Sequence, residues 1–164
     1  MVTLIGSLIF SIVVPGTFLL LIPYLLVIAE GPVQAPLGVW TDYLGLLISA
    51  LGICIYLGAM VAFLTRGKGT PSPTAPPVRF VVSGPYRYVR NPMYLSGMIL
   101  LLGEAIYFRS AFLQVYMGVF SAAFHTFVVR YEEPHLRQRF GAEYERYLAS
   151  VPRWGPSVKL FKLG

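Results

Sequence analysis

Two groups of polar side chains stand at the borders of long hydrophobic runs, and their types permit chemistry. The first lies in "GPYRYVRNPMYLSG", residues 84–97, and comprises Tyr86, Arg90, Asn91 and Tyr94. The second is the pair Glu132 and Glu133, just past the last long apolar run. Aromatic faces attract cations, and a carboxylate pairs with an ammonium or sulfonium group. Ionisable groups at such a depth are costly unless they are paired or functional. Two readings follow: Arg90 closes a helix bundle through a salt bridge to Glu132 or Glu133, or the groups form a pocket with a polar mouth and an apolar floor. Such a pocket suits a charged cofactor arriving from water and a lipidic substrate arriving from the bilayer. Cys54 is the single cysteine, and His125 and His135 lack ligand-like spacing, so no metal site and no internal disulfide is expected.

The elements that must position these groups are membrane helices. Of 164 residues 56% are hydrophobic and 12% charged, and the mean hydropathy is +0.67, beyond the roughly 45–50% apolar content of soluble domains. The expected class is an all-α integral membrane protein forming one domain, with no room for a separate soluble catalytic unit. Residues 1–64 hold the first two spans, Leu4 to Ala29 and Tyr43 to Leu64, each long enough for a hydrocarbon core about 30 Å thick. Pro15 and Pro23 should kink the first. It lacks a basic leader segment, so it reads as a retained span. Gly45 with Ser49, and Gly58 with Ala62, have the small-xxx-small spacing that lets helices approach closely.

Residues 65–92 form a connector and the polar loop. "RGKGTPSPTAPP" cannot be a regular helix, and "VRFVVSGPYRYVRNP" predicts a short extended segment and a turn at Ser83-Gly84-Pro85. Residues 93–129 predict a helical hairpin: a short third span from Met93 to Phe108, a turn near Arg109 and Ser110, and a fourth span from Ala111 to Val129. Glu104, one turn before Arg109, is its expected partner. Residues 130–164 carry the Glu-Glu pair and then an amphipathic helix, because Leu136, Phe140, Tyr144, Leu148 and Val151 recur every three or four residues. It should lie at the interface over the ends of the spans, with Tyr147 and Trp154 as interfacial anchors.

Charge orients the bundle. Residues 1–65 contain no Lys or Arg; the basic residues form one block from Arg66 to Arg90 and another from Arg130 to Lys162, with Arg109 alone between them. Four spans put both blocks on one side, which the positive-inside rule makes cytoplasmic, together with both termini and the mouth of the polar site. In a chain this apolar, the net charge of +6 points to anionic headgroups rather than nucleic acid. The expected partners are therefore membrane lipids and a lipophilic or lipidated small-molecule substrate.

"GPYRYVRNPMYLSG", followed after about 35 residues by "EEPHLRQRFGAEYERYLASVPRWGP", resembles the C-terminal half of the isoprenylcysteine carboxyl methyltransferases and their relatives, the membrane phospholipid N-methyltransferases. The resemblance covers residues 78 to about 156. It rests on the ordered combination Gly-x-Tyr, Arg-x-Pro-x-Tyr, Glu-Glu and Phe-Gly-x-x-Tyr-x-x-Tyr. It implies a polytopic enzyme that uses S-adenosylmethionine, releases S-adenosylhomocysteine and methylates a lipophilic acceptor. It further implies that Val78, Arg79, Phe80 and Val81 border the cofactor through their backbone, that Tyr86, Asn91, Pro92, Met93 and Tyr94 line its site, and that Glu132 holds it from the opposite side. Arg90 matches the family arginine and Glu133 the neighbouring acid; these two are the candidate catalytic residues, with Glu132 or Glu133 available as a base for an amine acceptor.

Two positions depart from the pattern. Asn91 replaces the usual histidine, which removes a proton relay and keeps a hydrogen-bonding group. Val128 stands where isoprenylcysteine enzymes carry the arginine that meets the substrate carboxylate, so a lipid amine, a thiol or another isoprenoid-like acceptor gains weight. Two other readings stay open at this point: a membrane reductase using a nicotinamide cofactor, and a non-catalytic membrane scaffold.

Overall fold

A computed structural model describes residues 9, 12–31, 38–67 and 80–157. The Pro/Gly-rich connector beyond Gly67, most of the "EGPVQAPLG" turn, Val78, Arg79 and the first residues of the expected first span lie outside them. Among the described residues every regular element is helical, as expected for this class.

Helix α1 covers Ile12–Glu30. Between its two prolines it widens into one π turn, Thr17–Leu21, and Pro23 then sits in the first turn of the α-helical part, Ile22–Glu30. A proline removes one backbone donor and clashes with the preceding turn, and single π turns occur within α-helices where the regular ladder is broken. Helix α2, Trp40–Ala62, continues through a second π turn, Phe63–Gly67. Helix α3, Pro92–Tyr107, is preceded by a 3₁₀ turn, Gly84–Arg87. Helix α4, Ala111–Phe127, runs through a third π turn, Val128–Glu132, into α5, Glu133–Phe140; α6 is Ala142–Ser150. Three helical stretches, Ile12–Glu30, Trp40–Arg66 and Ala111–Phe140, are long and apolar enough to cross a membrane, and Pro92–Tyr107 is a shorter apolar helix.

The most extensive helix contact is α2 on α3, and glycine makes it possible. A Cβ on Gly45 would lie 2.8 Å from the Gly103 carbonyl oxygen, and one on Gly52 would lie 2.8 Å from the Ser96 carbonyl oxygen. A Cβ on Gly103 would in turn strike the Ser49 hydroxyl. Two backbones this close gain dispersion contact that lipid cannot match. The second small pair packs elsewhere: Gly58 faces the Pro85 ring and Ala62 faces Gly84, so the end of α2 seats the polar loop.

The opposite end is stitched by polar groups. Glu30 accepts the Ser110 hydroxyl and, at 2.9 Å, the Ala111 N–H, while Ser110 caps α4 by accepting the Leu113 N–H at 3.0 Å. Arg109 does not pair with Glu104. It binds Asp42 and, at 3.2 Å, Thr41, both in the first turn of α2. The reason is local: α3 stops at Tyr107, and Arg109 has φ 51°, which turns its side chain toward α2 rather than back along α3. Asp42 also accepts the Val39 N–H at 3.2 Å, a favourable place for an acid at a helix N-terminus.

The single amphipathic tail helix expected from periodicity is two helices. Gly141 separates them at φ 49°, ψ −126°, a backbone that an L side chain resists. Its apolar stripe does pack as one surface: Leu136, Phe140, Tyr144, Tyr147, Leu148 and Val151 gather around Phe80 and Val82. The loop, not lipid, covers that face. Tyr147 is accordingly buried, not interfacial, and its hydroxyl donates to the Tyr86 carbonyl at 2.6 Å.

Candidate functional site

The polar loop, the start of α3, the junction of α4 with α5, and the tail meet at one end of the bundle. Gly84 has φ 56°, which lets the chain turn into the 3₁₀ segment, and Pro85 opens it. Tyr86 is thereby buried against Ala59, Ala62 and Val81, with Phe63 and Met93 alongside; its ring lies 5.3 Å from that of Phe63. Burial pushes the Tyr86 phenol well above its usual range, so it stays a neutral hydrogen-bond donor.

Asn91 and Pro92 begin α3, with Asn91 as N-cap residue. The Asn91 side chain does not cap the helix; its amide donates to the Arg153 carbonyl at 3.2 Å. Tyr94, one turn into α3, hydrogen-bonds the Glu132 carboxylate. Its ring stacks on Phe124 of α4 at 4.7 Å, and Phe124 meets Phe120 at 4.5 Å. An aromatic stripe thus leads from Glu132 into the membrane.

Adjacent helical residues point about 100° apart, and the two acids divide accordingly. Glu133 is buried and fully engaged: Arg153 reaches it with two bonds, 2.7 and 3.0 Å, and Arg90 lies 3.1 Å away. Glu132 faces Tyr94, and its Oε2 has no partner. Among the described residues four buried side-chain polar atoms lack a partner, and three of them, Ser83 Oγ, Arg90 Nε and Glu132 Oε2, belong to this end. Unpartnered buried polar atoms are rare in folded proteins; a cluster of them marks a place built for something else.

A strap completes the site. Residues 151–157 run back across the loop: Arg90 N–H donates to the Pro152 carbonyl at 3.0 Å, Ser157 N–H to the Tyr88 carbonyl at 2.7 Å, and the Trp154 indole to His125 Nδ1 at 3.0 Å. Trp154 is therefore tied to α4. Tyr144 also hydrogen-bonds Arg90, and burial pushes its phenol up to about 12.

Of the residues singled out in the sequence, Tyr86, Arg90, Asn91, Pro92, Met93, Tyr94, Glu132 and Glu133 come together here. Phe80 and Val81 adjoin them, although the Phe80 ring is committed to Phe140, Tyr144 and Tyr147. Val78 and Arg79 lie outside the described residues. Three contributors are not evident from sequence reasoning: Arg153, Tyr144 and Phe124. Arg153 is twenty residues from the acid it clamps, with no local spacing to connect them; the one signal that could have found it is the demand of a buried carboxylate for cations.

An all-helical membrane protein that carries a half-engaged carboxylate pair among aromatic rings at one end of its bundle fits a membrane enzyme more closely than a passive span. The family model of phospholipid methyltransferases matches residues 40–143, well over half of the chain, and the protein belongs to that family, a family of membrane methyltransferases. An uncharacterized protein of Haemophilus influenzae is 32% identical over 62 residues, 38% of this chain and 98% of that protein. No solved structure matches the chain.

Proposed function

We propose that this protein transfers a methyl group from S-adenosylmethionine to a lipophilic acceptor that reaches the site from within the membrane. The observation that carries this reading is Glu132: a buried carboxylate whose Oε2 has no partner, beside the Tyr94 hydroxyl and the stacked rings of Tyr94 and Phe124. A cationic group with polar substituents fits that donor set, since the carboxylate supplies charge and the ring faces supply cation–π attraction. When bound, S-adenosylmethionine supplies a methyl group already activated on a sulfonium centre.

The remaining work falls to the chain. Glu132, Tyr86, Tyr94, Asn91, Pro92 and Met93 would hold the cofactor, with Val78, Arg79, Phe80 and Val81 bordering it through their backbone. Glu133, with both oxygens taken by guanidinium groups, holds Arg90 and the strap in place. Of the two acids, Glu132 is thus the one left to serve as base for an amine acceptor. Water exclusion follows from the apolar floor of Val81, Met93 and Phe63, and alignment of acceptor and methyl group supplies most of the rate. The basic residues of the loop and of α5 support a cytoplasmic mouth.

Calorimetric titration of S-adenosylhomocysteine into detergent-purified protein tests this, run beside Glu132→Ala. The wild type is expected to bind and the mutant to lose at least about tenfold in affinity, the loss of one charge-assisted contact. Absence of binding to folded wild-type protein overturns the proposal. With binding established, labelled methyl groups followed into membrane lipids identify the acceptor as amine, thiol or oxygen.

A further inference from the structure

Two acids stand side by side where α4 passes into α5, yet the guanidinium groups gather on one of them. Glu133 takes Arg153 through two bonds and Arg90 at 3.1 Å, whereas Glu132 Oε2 is buried without a partner. A long arginine stem can reach either of two neighbouring carboxylates, and an unpaired buried carboxylate attracts a cation strongly. The Arg153 side chain is 31% exposed, so close packing does not confine it. Its choice of Glu133 has to be set by what holds the strap.

The helix supplies half of the answer. In an unbroken α-helix Glu132, seven residues beyond His125, would lie within about 20° of the His125 face, and Glu133 about 80° away. The π turn Val128–Glu132 changes that, since the Glu133 N–H donates to the Val128 carbonyl, five residues back. A turn closed over five residues takes up one residue more than an α turn, so the phase slips by about 100°. Glu133 therefore comes within about 20° of the His125 face, two turns further along, while Glu132 is directed to Tyr94. Consecutive strap residues meet this face as two rungs: the Trp154 indole donates to His125 Nδ1 at 3.0 Å, and the Arg153 guanidinium takes Glu133. The strap's other bonds are with Arg90, Asn91 and Tyr88, at the loop and the start of α3, and the Trp154 side chain carries it onto α4.

We propose that Trp154 and His125 are positioning residues for the methyl-transfer site: together they hold the strap against the face of α4 that leads to Glu133, which commits the Arg153 guanidinium to that acid and keeps it off Glu132. Without this latch the strap keeps its loop contacts and loses its alignment on α4. Arg153 then swings to the free Glu132 oxygen, gains a charge-assisted bond there, and occupies the place a cationic ligand needs. The proposal rests on the methyl-transfer reading for what Glu132 binds; the latch between strap and helix does not.

The test uses full-length protein in detergent and has two arms. In the first, S-adenosylhomocysteine is titrated by calorimetry. Trp154→Phe is expected to weaken it about tenfold, the factor for one charge-assisted contact, and adding Arg153→Gln should restore most of that loss, because the competing guanidinium is gone. His125→Asn, whose Oδ1 stands one bond beyond Cγ as Nδ1 does, should retain most of the wild-type affinity, and His125→Leu should match Trp154→Phe. A strap that is merely structural gives the opposite order, with the double variant binding no better than Trp154→Phe. The second arm needs no ligand: melting shifts of Glu132→Gln and Arg153→Gln should add in the wild-type background and depart from additivity by at least about 2 °C in Trp154→Phe, where the two groups meet. Unchanged affinity in Trp154→Phe, no recovery in the double variant, or additive shifts in the Trp154→Phe background overturns the proposal. Wild-type protein that binds no S-adenosylhomocysteine strikes the methyl-transfer reading, and the melting arm then decides the latch. Should Trp154→Phe fail to fold, His125→Leu takes its place in both arms.

Discussion

Arg153→Ala isolates the strap from the rest of the site. The substitution removes two hydrogen bonds to Glu133, at 2.7 and 3.0 Å, and leaves the backbone contacts of residues 152 and 153 available. A hydrogen bond to a charged group is worth roughly 1.5–3 kcal/mol, and stripping the whole partner set from a buried carboxylate costs about 3–5 kcal/mol. Two facts lower the figure here. Glu133 keeps Arg90 at 3.1 Å, and the Arg153 side chain is 31% exposed, so solvent screens part of the pair. A loss of about 2 kcal/mol results, and for a chain of this size that is a fall of roughly 4–8 °C in melting temperature. The internal control is Arg137, whose 3.0 Å bridge to Glu145 has both side chains more than half exposed; an exposed pair contributes about 0–1 kcal/mol, so Arg137→Ala should shift the transition by no more than about 4 °C. Circular dichroism at 222 nm in one detergent reads both. Equal shifts for the two variants would refute the claim that burial and double engagement make the Glu133 clamp, as would a shift below about 1 °C for Arg153→Ala.

Gly103→Ala should destabilise the helix pair by about 1–3 kcal/mol, the usual range for overpacking, because its Cβ would strike Ser49 and the Gly45 carbonyl. Gly118→Ala, where nothing lies within 4 Å of the new Cβ, should instead be neutral or stabilising by up to about 1 kcal/mol; thermal unfolding of the two side by side checks the sign. Tyr147→Phe leaves the Tyr86 carbonyl without its 2.6 Å donor and should cost about 1–3 kcal/mol, visible both as a lower melting temperature and as weaker S-adenosylhomocysteine binding, since the loop that carries Tyr86 then loses one of its anchors to the tail.

The sequence alone determined the class. Apolar runs of about twenty residues, a basic-free first third and a polar loop abutting a hydrophobic stretch are one-dimensional signals, because membrane thickness and the need to satisfy backbone groups act on contiguous segments. The pairing of Gly45 with Ser49 as a packing surface was legible for the same reason: side chains four apart share a helix face. The ordered motif from Tyr86 to Tyr147 likewise carried the family. Tertiary structure decided what each polar group does. That Arg109 serves Asp42 and not Glu104 depends on one left-handed residue at φ 51°, a local conformation that periodicity does not encode. That Glu133 is clamped and Glu132 left open depends on which direction the helix turns at the end of a π turn, and on a strap twenty residues away that supplies the second arginine. Side-chain types announce that carboxylates and arginines will meet; which atom is left over for a ligand is settled only when distant segments of the chain compete for the same oxygen.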